Sequence, residues 1–151
     1  MTEVIIHRQP LRVAADWQAA LCDIWRAHRV LSPAFLKEIE ALGLRDRCGF
    51  FANSGPSEQE LRVRMLAEPT VRYFGRDWAQ CQLGRPHLED PHADYAARID
   101  REYQESIDGG EPLLNLITML RPGQPPTFYT HVLLGWTAGI GRRAVLSGVD
   151  F

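Results

Sequence analysis

The chain has 151 residues, enough for one domain that buries about 70% of the surface its unfolded form exposes. Hydrophobic residues make up 45% and charged residues 24% of the sequence, which excludes both a disordered chain and a fibrous one. Seventeen basic residues against nineteen acidic ones leave no basic surface of the size that phosphate binding needs. Nucleic acid is therefore excluded as a partner.

The first 45 residues predict helices. In the first helix, Trp17, Leu21, Ile24 and Trp25 recur at three- and four-residue steps and form one apolar stripe. Ser32 followed by Pro33 is typical of a helix start, and the apolar spacing predicts a second helix over 33–42, ending before a glycine.

After this segment the apolar period changes from helical to alternating. Residues 47–53 are a short apolar run, and Leu61, Val63 and Met65 alternate with arginines, as in a half-buried strand. Pro69 interrupts the region, and the apolar residues of 70–75 predict a continuation of the strand beyond it. A short helix is expected over 77–83.

The clearest helical pattern covers residues 91–108, with Asp90 as the expected N-cap and Pro91 in the first turn. Three strand-like segments follow at 112–120, 127–137 and 143–151. Because the loops between them are short, the three strands are expected to pair as antiparallel hairpins.

Three stretches in this order of elements are similar to bacterial PAS-like proteins: Val71-Arg72-Tyr73-Phe74-Gly75, Leu83-Gly84-Arg85-Pro86, and the helix through Tyr95 and Tyr103 to Gly109-Gly110-Glu111-Pro112. The resemblance covers residues 47–151. It implies an α+β fold, with a five-stranded antiparallel sheet that carries its helices on one face. Residues 1–46 are then a preceding N-terminal helical segment, packed on or flanking the sheet of the PAS-like sensory domain.

The resemblance also implies a sensory or regulatory module that binds a small molecule or a signalling protein. Such a module would act through its partner, because no output domain follows. The residues expected at the ligand pocket are aromatic or polar: Trp78, Tyr95, Tyr103, Asn115, Tyr129 and His131. The identity of a cofactor is left unknown.

Motifs for catalysis or metal binding are weak. Gly139-Ile-Gly141 has dinucleotide-like spacing but precedes a strand, so a hairpin turn is the better interpretation. The histidines and carboxylates of 87–94 lack a recognised metal spacing, and their positions are explained by a helix cap and a solvated loop. No Gly-x-Ser-x-Gly motif is present. We therefore expect neither a bound metal nor an enzyme.

Two alternative functions stay open. The first is an acid–base enzyme similar to the cone-shaped nuclear transport factor 2-like family, for which Asp77, Asp94 and His131 are the candidates. The second is a pure interaction scaffold. In either the sensory or the scaffold reading, the tryptophan stripe of the N-terminal helix predicts a homodimer contact, because isologous dimers are the commonest assembly.

The N-terminal residues Met-Thr-Glu-Val-Ile-Ile-His are too acidic and too short in their apolar run for a secretory signal. No later window approaches 18 apolar residues, so no membrane association is expected and a cytoplasmic location is predicted. The cysteines Cys22, Cys48 and Cys81 are odd in number and far apart, which predicts small core residues and no disulfide framework.

Overall fold

A computed structural model of the protein describes residues 2–151. It contains six strands: β1 (Glu3–Gln9), β2 (Cys48–Ala52), β3 (Arg62–Met65), β4 (Leu113–Leu120), β5 (Thr127–Ala138) and β6 (Arg142–Asp150). It also contains five α-helices: α1 (Asp16–Ala27), α2 (Pro33–Ala41), α3 (Glu68–Phe74), α4 (Arg76–Gln82) and α5 (Ala93–Gly109).

The six strands form one sheet in the order β1-β4-β5-β6-β2-β3. Every pair of neighbouring strands is antiparallel. Strands β4, β5 and β6 are sequential neighbours, as the short loops between them predict. The two edges are β1, which pairs only with β4, and β3, which pairs only with β2.

The N-terminal strand β1 overturns two expectations, because the sheet has six strands instead of five and residues 1–46 are not entirely helical. Val4, Ile5 and Ile6 are β-branched, a residue type that fits the pleated surface of a sheet. Val4 is buried and Ile5 is exposed, which is the two-residue alternation of an edge strand. The strongly helical pattern after residue 16 obscured this short run.

The expectation that all helices lie on one face of the sheet is also wrong. On one face, the sheet packs against α5 through a core that includes Ile99, Tyr103 and Ile107. On the other face, α1 and α2 contribute a second core that includes Leu21, Trp25 and Phe35. The reason is physical: an amphipathic helix must bury its apolar stripe, and the free sheet face offers the surface.

The residues expected to extend a strand over 70–75 form helix α3 instead. Pro69 lies in the first turn of this helix and Glu68 is the acidic residue of that turn. Proline is favoured there because the first helical amides need no partner inside the helix. The proline that we interpreted as a break in a strand is thus a helix-start residue, and β3 ends at Met65.

Helix α5 starts slightly later than the sequence predicts. Its N-cap is His92, and the carboxylate of Asp90 accepts a hydrogen bond from the His92 backbone amide at 2.8 Å. Asp90 therefore stabilises the chain just before the helix, although it is not the N-cap itself. Pro91 precedes the helix in the same turn.

Gly135 in β5 sets how closely α5 packs on the sheet. A Cβ atom at this position would lie 2.6 Å from the Ile107 Cα and 2.7 Å from the Ser106 carbonyl carbon. Both are backbone atoms of α5, so a side chain could be accommodated only by moving the whole helix. The backbone oxygen of Gly135 also accepts a hydrogen bond from the Trp25 indole at 3.1 Å, which joins both helical layers to one residue.

We expect Gly135→Ala to lower the free energy of unfolding by about 3 kcal/mol or more, the upper part of the range for overpacking a core. Urea unfolding followed by circular dichroism measures the change. Gly109→Ala is the matched control, because it adds the same methyl group to α5 where, apart from the chain neighbours and the nearby backbone of the helix, no atom lies within 4 Å. Equal stability of the two variants would contradict the close contact.

Candidate functional site

A narrow cavity lies between the sheet and the helical layer formed by α3, α4 and α5. Its volume is about 50 Å³. This is room for a few water molecules, since one water needs roughly 10–15 Å³ of such space. The walls combine aromatic and aliphatic side chains with polar groups, among them Phe51, Val63, Trp78, Gln82, His87, Asp90, Tyr95, Ile99, Tyr103, Tyr129, His131, Ser147 and Val149.

Five of the six residues expected at a ligand pocket line this cavity: Trp78, Tyr95, Tyr103, Tyr129 and His131. The sixth, Asn115, lies on β4 directly opposite His131 and does not line the cavity. Asn115 is fully buried, and its amide nitrogen is hydrogen-bonded to the His131 ring. Asn115 therefore supports the cavity wall.

The three tyrosines place hydroxyl groups around the cavity. The hydroxyls of Tyr95 and Tyr129 lie 2.9 Å apart, and Tyr103 lines the same cavity. Burial raises the pKa of Tyr95 to about 12 and also raises the pKa values of Tyr103 and Tyr129. All three side chains are therefore neutral phenols that can donate or accept hydrogen bonds.

A chain of hydrogen bonds leads from His131 to the protein surface. The amide nitrogen Nδ2 of Asn115 lies 3.0 Å from Nε2 of His131 and 2.9 Å from a carboxylate oxygen of Glu102. The amide oxygen of Asn115 accepts from Nε of Arg8 at 2.8 Å. The guanidinium of Arg8 also pairs with Glu102 at 2.6 Å and with Glu105 at 2.7 Å. We call these five residues the Arg8 relay.

His131 is neutral over the physiological pH range. Burial and, to a smaller extent, the positive charge of Arg8 lower the pKa of His131 to about 3. Its side chain is 1% exposed, so an imidazolium here would have lost nearly all of its hydration.

Trp78 and Asp90 hold the opposite wall of the cavity. The indole Nε1 of Trp78 donates to Oδ1 of Asp90 at 3.2 Å, and the same oxygen accepts the His92 backbone amide. Asp90 is 8% exposed, and these two donors offset part of the cost of burying its carboxylate. The pairing also fixes the plane of the indole ring against the cavity.

Sequence reasoning missed one pair at this site. Nε2 of His87 lies 2.7 Å from a carboxylate oxygen of Asp100, and the His87 ring lines the cavity. Burial opposes ionisation of Asp100, but the hydrogen bond and charge of His87, with help from Gln104 and Arg143, outweigh it and lower the Asp100 pKa. No local motif links positions 87 and 100, because the fold brings a short turn against α5.

The structure does not bring together the acid–base candidates of the sequence. Asp77 and Asp94 are exposed, and neither lines the cavity with His131. Within residues 2–151, no three His, Cys, Asp or Glu side chains are grouped so that they could hold a metal ion. In the 87–94 stretch, His87 pairs with Asp100, while Nδ1 of His92 lies 3.2 Å from the Thr2 hydroxyl.

The other motifs have structural roles. Gly139 and Gly141 both have positive φ, at 56° and 68°, in the turn that joins β5 to β6. This conformation favours glycine and explains the spacing without a phosphate site. Cys22 and Cys48 are buried core residues, whereas Cys81 is exposed, contrary to expectation. None of the helices in residues 2–151 is long and apolar enough to cross a membrane.

The fold and the cavity define a class of protein: an antiparallel α+β domain with helices on both faces of the sheet and a narrow cavity between the sheet and α5. Comparison of the chain with protein-family models, curated proteins and solved structures finds no match.

We expect His131 to make stability depend on pH. The unfolded chain takes up a proton on this imidazole near pH 6.5, whereas the folded chain takes it up only near pH 3. Stability from this group is complete above pH 6.5 and is lost as the pH falls toward 3. Between pH 7 and pH 5 the loss should be about 2 kcal/mol.

Urea unfolding of the wild type and of His131→Gln at pH 7, 6 and 5 measures this loss. The glutamine oxygen can still accept a hydrogen bond from Asn115 but does not titrate. Between pH 7 and pH 5 the variant should therefore lose about 2 kcal/mol less of its free energy of unfolding than the wild type loses. His7→Gln, at an exposed position on β1, is the control and should keep the wild-type slope. Identical slopes in all three proteins would show that His131 is not held neutral.

Proposed function

We propose that the protein is a small-molecule-binding regulatory module similar to PAS domains, and that it acts through a partner protein. The ligand would bind in the cavity between α5 and the sheet. The observation that carries this proposal is the composition of the cavity: aromatic walls around a few hydroxyl groups and the neutral imidazole of His131, held by hydrogen bonds. Binding sites for small molecules typically have this mixture.

The order of elements in residues 48–150 also supports the proposal. With β1 left aside, the strands lie in the order β3-β2-β6-β5-β4. The helices α3, α4 and α5 connect β3 to β4 and contribute to one cavity wall. This keeps the sequence of strands, short helices and one long helix on which the resemblance to PAS domains rests.

An acid–base enzyme is a second candidate, favoured by His87 and Asp100. A carboxylate that orients an imidazole at a cavity wall is the geometry of a general base. It differs from the pair that the sequence predicts, and His131 is too weak a base to assist at neutral pH. Turnover of any bound ligand, abolished by His87→Gln with folding intact, would favour the enzyme over the regulatory module.

Most of the apolar stripe that predicts a dimer through the N-terminal helix is covered within the single chain. Leu21, Ile24 and Trp25 are at most 7% exposed in the single chain, because α1 packs on its own sheet, and Trp17 is half-buried against the same core. The Trp25 indole is also hydrogen-bonded to Gly135. Trp25→Ala would damage folding directly, so it cannot test association. The proposal therefore includes a regulatory partner but assigns no contact surface to α1.

We expect a screen of small uncharged compounds by protein-detected NMR to give hits whose shift changes surround the cavity. Ala96→Leu should abolish these hits, because Ala96 is 3% exposed and lines the cavity, which the larger side chain would fill.

Ala97→Leu is the matched control, since the next residue of α5 is exposed and the same substitution leaves the cavity open. Thermal unfolding should show that both variants fold. Absence of any saturable hit in the wild type, or hits that survive Ala96→Leu, would contradict binding in this cavity.

A further inference from the structure

We infer that the cavity selects an uncharged, compact ligand with a carbonyl-like acceptor, and that the Nδ1–H group of His131 donates the hydrogen bond that recognises it. This inference rests on the proposed function, because it names the chemical class of the ligand at the same site. It depends on the Arg8 relay, which determines where the histidine carries its hydrogen.

The first step is the orientation of the Asn115 amide. Its oxygen faces Nε of Arg8, which can only donate, and its nitrogen faces the carboxylate of Glu102, which can only accept. A flipped amide would place two acceptors together and two donors together. The partners on β1 and α5 therefore determine that Nδ2 of Asn115 points its hydrogens toward Glu102 and His131.

The second step is the tautomer of His131. Because the Asn115 group at 3.0 Å is a donor, Nε2 of His131 must be the acceptor and carry no hydrogen. A neutral imidazole with a bare Nε2 carries its hydrogen on Nδ1. His131 therefore presents a donor to any molecule that its ring meets in the cavity, and that molecule must supply an acceptor.

The third step concerns charge. Glu102 and Glu105 are occupied by Arg8 outside the cavity, and the tyrosine hydroxyls on its walls are un-ionised. An anion would meet the Asp90 carboxylate, and the His87 imidazole at the wall is already paired with Asp100. A cation would have to replace the donors that already hold Asp90. Either charge would lose its hydration without full compensation, so an uncharged ligand is favoured.

Size limits the ligand further. A cavity of about 50 Å³ admits a molecule of roughly three to five water volumes without moving its walls. A ketone, aldehyde or amide of a few heavy atoms satisfies both this limit and the acceptor requirement. Larger ring systems would need the side chains around the cavity to move apart.

The tautomer can be tested without any ligand. Long-range ¹H–¹⁵N correlation spectra of histidine-labelled protein at pH 7 should show His131 with hydrogen on Nδ1. In the variant Asn115→Asp/Glu102→Gln, the new carboxylate can still pair with Arg8 but accepts from His131, so the hydrogen should move to Nε2. Glu102→Gln alone is the control and should keep the wild-type tautomer.

Ligand class is tested with three planar probes of the same shape: acetone, acetate and acetamidinium. In the wild type, acetone should produce saturable shifts at the cavity with an affinity at least about fivefold above those of the two ions. Ala96→Leu should abolish these shifts. Asn115→Asp/Glu102→Gln should weaken acetone binding by about fivefold or more, because Nδ1 of His131 then carries no hydrogen.

The outcomes separate the two proposals. Hydrogen on Nε2 of wild-type His131, or tighter binding of either ion than of acetone, overturns this inference and leaves the regulatory module standing. Binding of no compound at all, in a protein whose His131 carries hydrogen on Nδ1, overturns the proposed function and the ligand class together.

Discussion

The contact between the α5 backbone and Gly135 is the constraint on which the site depends. It brings Ile107 against β5 with no side chain between helix and strand. Toward the N-terminal end of the same helix, aromatic side chains separate it from β5. The ring centres of Tyr103 and His131 lie 6.5 Å apart, and the Tyr95 hydroxyl is hydrogen-bonded to that of Tyr129. A helix that is close at one end and separated by rings at the other encloses a wedge of space, and the cavity occupies it.

Buried polar groups around that wedge are stable only because each has a partner. Asn115 is fully buried, and its amide makes three hydrogen bonds, accepting from Arg8 and donating to Glu102 and His131. The cost of losing one such partner is larger than the gain from making it, so a network of this kind has one preferred arrangement. The strand that sequence reasoning missed, β1, supplies Arg8. An element at the sheet edge thereby determines the hydrogen-bonding character of a histidine inside.

Local patterns located most elements but not the layers that they form. The resemblance to PAS-like proteins, with the aromatic or polar character of the side chains, predicts six pocket residues, and five of the six line the cavity. Asn115 is the sixth candidate, and its neighbours Arg8 and Glu102 come from distant positions that no local pattern connects. The sequence does not predict the His87–Asp100 pair either, because no local pattern connects these two positions. Helix α3 was not predicted because proline interrupts a strand but is favoured in the first turn of a helix, and the local sequence around Pro69 fits either case.

The two faces of the sheet differ in how firmly they are anchored. The face under α1 and α2 is a continuous apolar core with fully buried side chains such as Leu21, Phe35 and Leu146. On the cavity face, α3 has no buried residue, and it ends at Gly75, whose φ of 104° and ψ of 157° are accessible essentially only to glycine. Segments with few buried contacts open at low free-energy cost. The apolar core under α1 and α2 therefore holds the sheet, whereas α3 is held on the cavity face through the half-buried rings of Tyr73 and Phe74.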